Sequence, residues 1–287
     1  MNAVHVTHTA PFFARSANMG KTYSISDYEL LTTILSALKF RELNGNIGLY
    51  TDSVGYKYYE QQKMLKIWNS GINVDVLNNI NDNVDFEIFW AAGKIYALKH
   101  QQAPCIIMDT DFIVWINISE QITNKKDVIC IHREELNPNV YLPKELLKVS
   151  PNYNFNPNFD WSENPCNTAF VYFGNENLKQ YFVEEAIKFM KDNLYKPEEF
   201  VSQMVFAEQR LLPMCAKNME VVIKSFVDLN ELFIQNSFTH LWGYKRELEA
   251  DHLVAYNYCS TLVERLISDF DKGYKYLRDI PVIKKYL

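Results

Sequence analysis

The chain has 287 residues, 48% of them hydrophobic and 14% aromatic, which supports one large core and excludes a disordered or low-complexity protein. Its formal charge is −6 with acids and bases interspersed, so it lacks the broad basic face that nucleic-acid binding requires. Five cysteines stand singly with no CxxC pair, which excludes a zinc knuckle or redox motif and fits buried thiols in a reducing compartment, the cytoplasm.

Residues 3–7 alternate and are rich in Val, the pattern of a strand. From Ser26 the spacing of Leu30, Leu31, Ile34, Leu35 and Leu38 predicts a helix capped by Ser24 or Ser26 and closed by Asn44-Gly45. A strand over 47–50, a helix over 54–69, a strand over 73–77 and a helix over 86–101 come next, and Pro104 precedes the run CIIM at 105–108. This alternation predicts an α/β fold with a mostly parallel central sheet flanked by helices. The middle of the chain reads as a strand over 128–132, an Asn- and Pro-rich loop over 137–160, a strand over 169–173 and helices over 176–193 and 199–211. A late strand over 221–224 and a helical stretch beyond Lys245 complete the pattern. No leader with a charged start and apolar core is expected, and no apolar run is long enough to span a bilayer, which leaves peripheral membrane contact open.

Asp109 and Asp111 lie just past the apolar run 105–108, at the carboxyl end of a strand, where open α/β sheets place ligands. Two carboxylates in D-x-D hold a hard divalent cation such as Mn²⁺ or Mg²⁺, which cancels their mutual repulsion. The same pair can also cap a turn, or serve as nucleophile and acid in a phosphatase. Farther on, THLWGYKRE at 239–247 offers His240 as a neutral imidazole ligand and Gly243 for close backbone approach. In the same stretch Lys245 and Arg246 are cations for a diphosphate. Asp52, after the second strand, is a candidate contact for base or ribose, or a turn-former.

Four blocks in order give the chain a resemblance to GT-A-fold glycosyltransferases, especially the retaining group with glycogenin and the bacterial lipooligosaccharide galactosyltransferases. VTHTAPFF at 6–13 is similar to the opening strand and loop that hold the nucleotide, here with Thr7, His8 and Thr9 and with Phe12 or Phe13 for stacking on a base. The stretch 89–115 is similar to the donor-phosphate lysine helix and the D-x-D strand, with Lys94 at the lysine position. CNTAFVYF at 166–173 is similar to the family's sugar-contacting strand opening, which brings in Asn167 and Thr168. THLWGYKRE is similar to the block that carries the third metal ligand and the last phosphate lysine.

The resemblance implies a nucleotide-diphosphate sugar as donor, an unidentified glycan or small-molecule acceptor, Mn²⁺ or Mg²⁺ on Asp109, Asp111 and His240, and transfer with retention. FAEQRLL at 206–212 stands where the family lines its sugar pocket, so Gln209 would face the sugar ring and Glu208 would hold its hydroxyls. A transferase unit over 1–246 and a helical extension over 247–287 are implied. Thr168-Ala169 replaces Ser-Gly, Glu208 replaces Asp, and the expected Pro-Trp after the last block is absent. A phosphatase, a nucleotidyltransferase and a non-catalytic binding protein of the same fold remain alternative readings.

Overall fold

A computed structural model describes residues 1–194 and 201–287. The strands are β1 (Asn2–Thr7), β2 (Asn46–Thr51), β3 (Ile72–Asn73), β4 (Cys105–Met108), β5 (Phe112–Val114), β6 (Val128–Cys130), β7 (Phe170–Phe173), β8 (Ile223–Ser225) and β9 (Phe238–His240). The helices are α1 (Ala10–Ala14), α2 (Asp27–Leu43), α3 (Ser53–Gln61), α4 (Asp75–Asn78), α5 (Ala92–Lys99), α6 (Glu176–Asp192), α7 (Ser202–Val205), α8 (Leu211–Asn218), α9 (Lys245–Ala250), α10 (His252–Phe270) and α11 (Pro281–Lys284).

Seven strands form one sheet in the order β3-β2-β1-β4-β7-β6-β8. Neighbours run parallel except where β7 meets β4 and β6, so only β7 is reversed. All four residues of β4 and of β7 are buried, as expected of central strands covered on both faces. Alternation sends Ala3, Ile106 and Met108 into one core and Val4, Cys105 and Ile107 into the other. The first core is closed by α2 and α10, through Leu31, Ile34, Leu38, Leu262 and Leu266. The second is closed by α5, α6 and α8, through Ile95, Phe182, Phe189 and Leu211.

Ser26 caps α2 by accepting from Glu29 N, and its hydroxyl donates to Glu29 Oε2 at 2.7 Å, a reciprocal arrangement that satisfies the open helix end. The helix is buried almost all round, because it lies between the sheet and α10. Gly45, at φ +122°, has no room for a side chain: a Cβ there would stand 2.6 Å from Met1 N.

Several elements differ from their expected bounds. The strand predicted over 73–77 is only Ile72–Asn73, because Asn73 Oδ1 accepts from Val76 N at 3.1 Å and turns the chain into α4. The helix predicted from 54 stops at Gln61, two residues before Lys63 adopts φ 56°, and resumes only as the 3₁₀ turn Leu65–Ile67. The helix predicted from 86 begins at Ala92. Residues 199 and 200 of another predicted helix lie outside the described residues; beyond them α7, a π-helical turn Phe206–Arg210 and α8 carry the helix on to Asn218. Among the described residues no helix is long and apolar enough to cross a membrane.

Candidate active site

Where β4 ends at Met108 the chain reverses within three residues. Asp109 N donates to Ala169 O at 2.7 Å, which anchors the turn on β7's approach, and Phe112 N donates to Asp109 O at 3.2 Å. The carboxylates of Asp109 and Asp111 therefore stand at the carboxyl edge of the sheet. A buried relay holds the start of β5 in place. Trp68 Nε1 donates to His5 Nδ1 at 3.3 Å, so the His5 proton sits on Nε2 and is donated to Ser36 Oγ at 3.1 Å. Ser36 in turn donates to Phe112 O at 2.5 Å. Burial pushes the His5 imidazole down to about 3, so it is neutral.

β5 leaves the main sheet and pairs antiparallel with β9, which sets Phe112 opposite His240, and Leu241 N donates to Asp111 O at 3.1 Å. That ladder brings His240 Nε2 to 3.7 Å from Asp111 Oδ1. One ligand atom from each of Asp109, Asp111 and His240 lies within 4.8 Å of the others. Oxygens of two carboxylates and one imidazole nitrogen are a donor set suited to a divalent cation. Ligands of one such ion stand roughly 3–4.2 Å apart for bonds of about 2.1 Å, so small side-chain rotations suffice and the residues fit a cation. Burial holds His240 below the usual histidine range in spite of Asp111.

Two lysines orient the acids. Lys94 Nζ lies 2.8 Å from Asp109 Oδ1, donates to Thr168 O at 3.0 Å, and also binds Glu208 Oε1. Burial alone would lower its pKa, but Asp109 and Glu208 hold it above the usual lysine range. Lys245 Nζ lies 2.9 Å from Asp111 Oδ2 and 3.2 Å from Glu29 Oε1. Burial would raise the Asp111 carboxyl, yet His240 and Lys245 keep it below the ordinary carboxylate range. Lys245 engages Oδ2, while Oδ1 is the oxygen that faces His240.

The opposite wall comes from the ladder of 132–134 with 165–168. Asn167 N donates to His132 O at 3.0 Å, Glu134 N to Pro165 O at 2.8 Å, and Cys166 N to Gln209 O at 3.0 Å. Gln209 Oε1 accepts from Tyr141 Oη at 2.7 Å. Glu134 Oε1 accepts from both His132 Nε2 and Asn167 Nδ2, each at 3.0 Å. Burial would raise Glu134, but those two donors and His240 bring it below the usual glutamate range. The π-helical turn Phe206–Arg210 carries Glu208 and Gln209, and such a turn is a frequent mark of functional positions. Sequence reasoning missed Glu29, His132, Glu134 and Tyr141. The carboxylates carried no motif, and only their spacing to the D-x-D could have drawn notice.

Other predicted contacts are turned inward. Asp52 Oδ2 accepts from Thr9 N at 2.6 Å and Thr9 Oγ1 at 2.8 Å, while its Oδ1 caps α3 through Gly55 N at 2.8 Å. Thr7 Oγ1 bonds Tyr59 Oη at 2.9 Å. These three polar side chains are hydrogen-bonded within the scaffold. His8 packs edge-on to Phe86, with its Nε2 4.0 Å from Asp52. Trp161 is half-buried and stacks on Phe206, while Trp242 is 78% exposed. Gly243 lies in the 3₁₀ turn Trp242–Tyr244 and faces open space, so packing does not demand a glycine there. Arg246 is exposed and makes no ion pair among the described residues. A groove of about 350 Å³ between α5 and α6, lined by Lys99, Val183, Ile187 and Lys188, lies away from all of this and gathers no comparable ligand set.

Fold and site together define an α/β protein with a candidate divalent-cation centre at the carboxyl edge of its sheet. The chain belongs to the family of unknown function DUF6734, whose family model matches residues 14–280. No curated protein matches it in sequence. Among solved structures it is similar to the bifunctional glycosyltransferase WbbM (TM-score 0.45, 10% identity), over 79% of this chain and 38% of that one, so it spans well under half of WbbM's length. It is also similar to mouse xyloside xylosyltransferase 1 (TM-score 0.37, 9% identity, 79% and 85% of the two chains). A third is the inositol-1-phosphate CTP transferase of T. maritima (TM-score 0.39, 14% identity, 79% and 84%).

Proposed function

We propose that this chain is a cation-dependent GT-A-type glycosyltransferase that takes a nucleotide-diphosphate sugar and passes the sugar to an acceptor glycan or small molecule. The observation that supports this reading most is the meeting of Asp109, Asp111 and His240, with Lys94 and Lys245 beside them, at the edge where an α/β sheet receives nucleotides. A cation held there supplies a Lewis acid that offsets charge on the departing diphosphate. Lys94 adds fixed positive charge on one side of that group, and Lys245 with Arg246 on the other. Asn167, Thr168 and Gln209 border the space for the sugar, and Glu208, held by Lys94, receives its hydroxyls. His8 and Gly243 flank the nucleotide. Transfer with retention follows the family resemblance, and anomeric NMR of the product reads it directly. In this reading residues 1–246 carry the chemistry, 247–287 brace α2, and the free buried cysteines suit the cytoplasm.

The test is a melting-temperature screen of uridine- and guanosine-diphosphate sugars with and without Mn²⁺. A ligand that binds only the folded form raises its melting point. One nucleotide sugar should do so only with Mn²⁺, and the effect should vanish in Asp111→Asn. No shift for any donor would sink this reading, and phosphate release from p-nitrophenyl phosphate would favour the phosphatase reading instead.

A further inference from the structure

We propose that Glu134 is the residue that receives the hydroxyl nucleophile, by accepting its hydrogen bond through Oε2. This rests on the transferase reading above. Five other acids line or approach the centre, and each is already engaged. Asp109 and Asp111 carry lysine partners and belong to the cation set. Glu208 is bound to Lys94 and, in the transferase reading, is taken up by the hydroxyls of the donor sugar. Glu29 holds Lys245, and Asp52 is bonded to the scaffold through both oxygens.

Glu134 differs in a specific way. Both of its side-chain hydrogen bonds arrive at Oε1, from His132 Nε2 and Asn167 Nδ2, and Oε2 accepts none among the described residues. The side chain is 27% exposed, so a ligand can reach it. Its place is set by a continuous chain of contacts: Glu134 to Asn167, then along the backbone to Thr168, whose carbonyl accepts from Lys94, which pairs with Asp109.

His132 strengthens the assignment. Its ring is buried, and Nδ1 has no hydrogen-bond partner. Leaving a buried polar atom unpaired is unfavourable. Its Nε2 makes one polar contact, and that contact holds Glu134 Oε1, so His132 is a positioning residue for this carboxylate. A free carboxylate oxygen accepts from O–H and repels anions. Within the transferase reading, the donor it meets is therefore a hydroxyl, of water or of a polyol such as a sugar, and not a phosphate or carboxylate.

Water is the probe that needs no knowledge of the acceptor. Mn²⁺-dependent hydrolysis of the nucleotide sugar identified by melting is measured for wild type, Glu134→Gln and Glu134→Ala, with the Mn²⁺–uridine diphosphate melting shift recorded alongside. Glu134→Gln keeps an oxygen for His132 and Asn167 and turns Oε2 into an N–H donor. The expected result is at least a tenfold fall in hydrolysis in both variants with the nucleotide shift retained. Unchanged hydrolysis overturns the proposal. Loss of the nucleotide shift overturns it too, since Glu134 would then serve donor binding or folding. A wild-type protein that neither binds nor hydrolyses any donor sinks the transferase reading first, and this proposal with it.

Discussion

Phe112 and His240 face each other across the two short antiparallel strands β5 and β9, and that one pairing sets His240 Nε2 3.7 Å from Asp111 Oδ1. The register matters because a slip by one residue would turn the imidazole to the other face of the ribbon.

The cation centre is the first test. In Asp111→Asn and His240→Ala, Mn²⁺ titrated against the protein and followed by electron paramagnetic resonance should bind at least tenfold more weakly than to wild type. Thr239→Ala, one position away and paired with Ile113, should bind Mn²⁺ as wild type does. Equal affinity in all four proteins would remove these residues from the centre.

Lys94 stands between two carboxylates, its side chain 12% exposed. Lys94→Met leaves Asp109 and Glu208 without their counter-charge, and breaking a buried pair from one side costs about 3–5 kcal/mol. Urea denaturation should show a loss of that size. The double variant Lys94→Met/Glu208→Gln should recover a good part of it, because one uncompensated charge is gone. Equal losses in single and double variants would mean that the two side chains are not coupled.

His5 makes stability depend on pH in a definite direction. Its folded pKa of about 3 lies below the 6.5 of the unfolded chain, so between these values the unfolded state holds the extra proton. Stability is therefore lost as pH falls below 6.5, by up to about 1.4 kcal/mol per pH unit from this one group. Urea midpoints measured from pH 7 to pH 4 should fall, and His5→Gln, though less stable at pH 7, should fall less steeply. Parallel curves would show that His5 does not drive the dependence.

Phe112 is fully buried and stacks on Phe238 with ring centroids 5.0 Å apart. Phe112→Ala should cost about 3–5 kcal/mol through the cavity it leaves. It should also weaken Mn²⁺ binding below the melting temperature, since it loosens the ribbon that seats Asp111 and His240. Calorimetry and the same resonance titration check both parts.

Much of this architecture was legible because its signals are local. The run CIIM is apolar at every position, as a strand covered on both faces must be, and of the two serines read as caps of α2 it is Ser26 that serves. The aspartates stood out against that apolar background. β5 and β9 were illegible for the opposite reason: three residues give too few repeats for a period, and each strand exists only because the other pairs with it. Asp52, Thr7 and Thr9 are hydrogen-bonded within the scaffold, a role the sequence does not show, since a polar residue after a strand reads alike whether it meets a ligand or the neighbouring loop. Glu134 sits past the end of β6 with no motif around it, and only the fold places it beside Asn167.

The pairing of β5 with β9 also has a bearing on biosynthesis. Both carboxylates emerge from the ribosome before the imidazole, which comes more than a hundred residues later. Contacts of such wide sequence separation form late, after the intervening segments have collapsed. A nascent or clipped polypeptide that stops before β9 therefore holds the acids without the imidazole, and competence at this centre becomes a report that the chain has folded as far as β9.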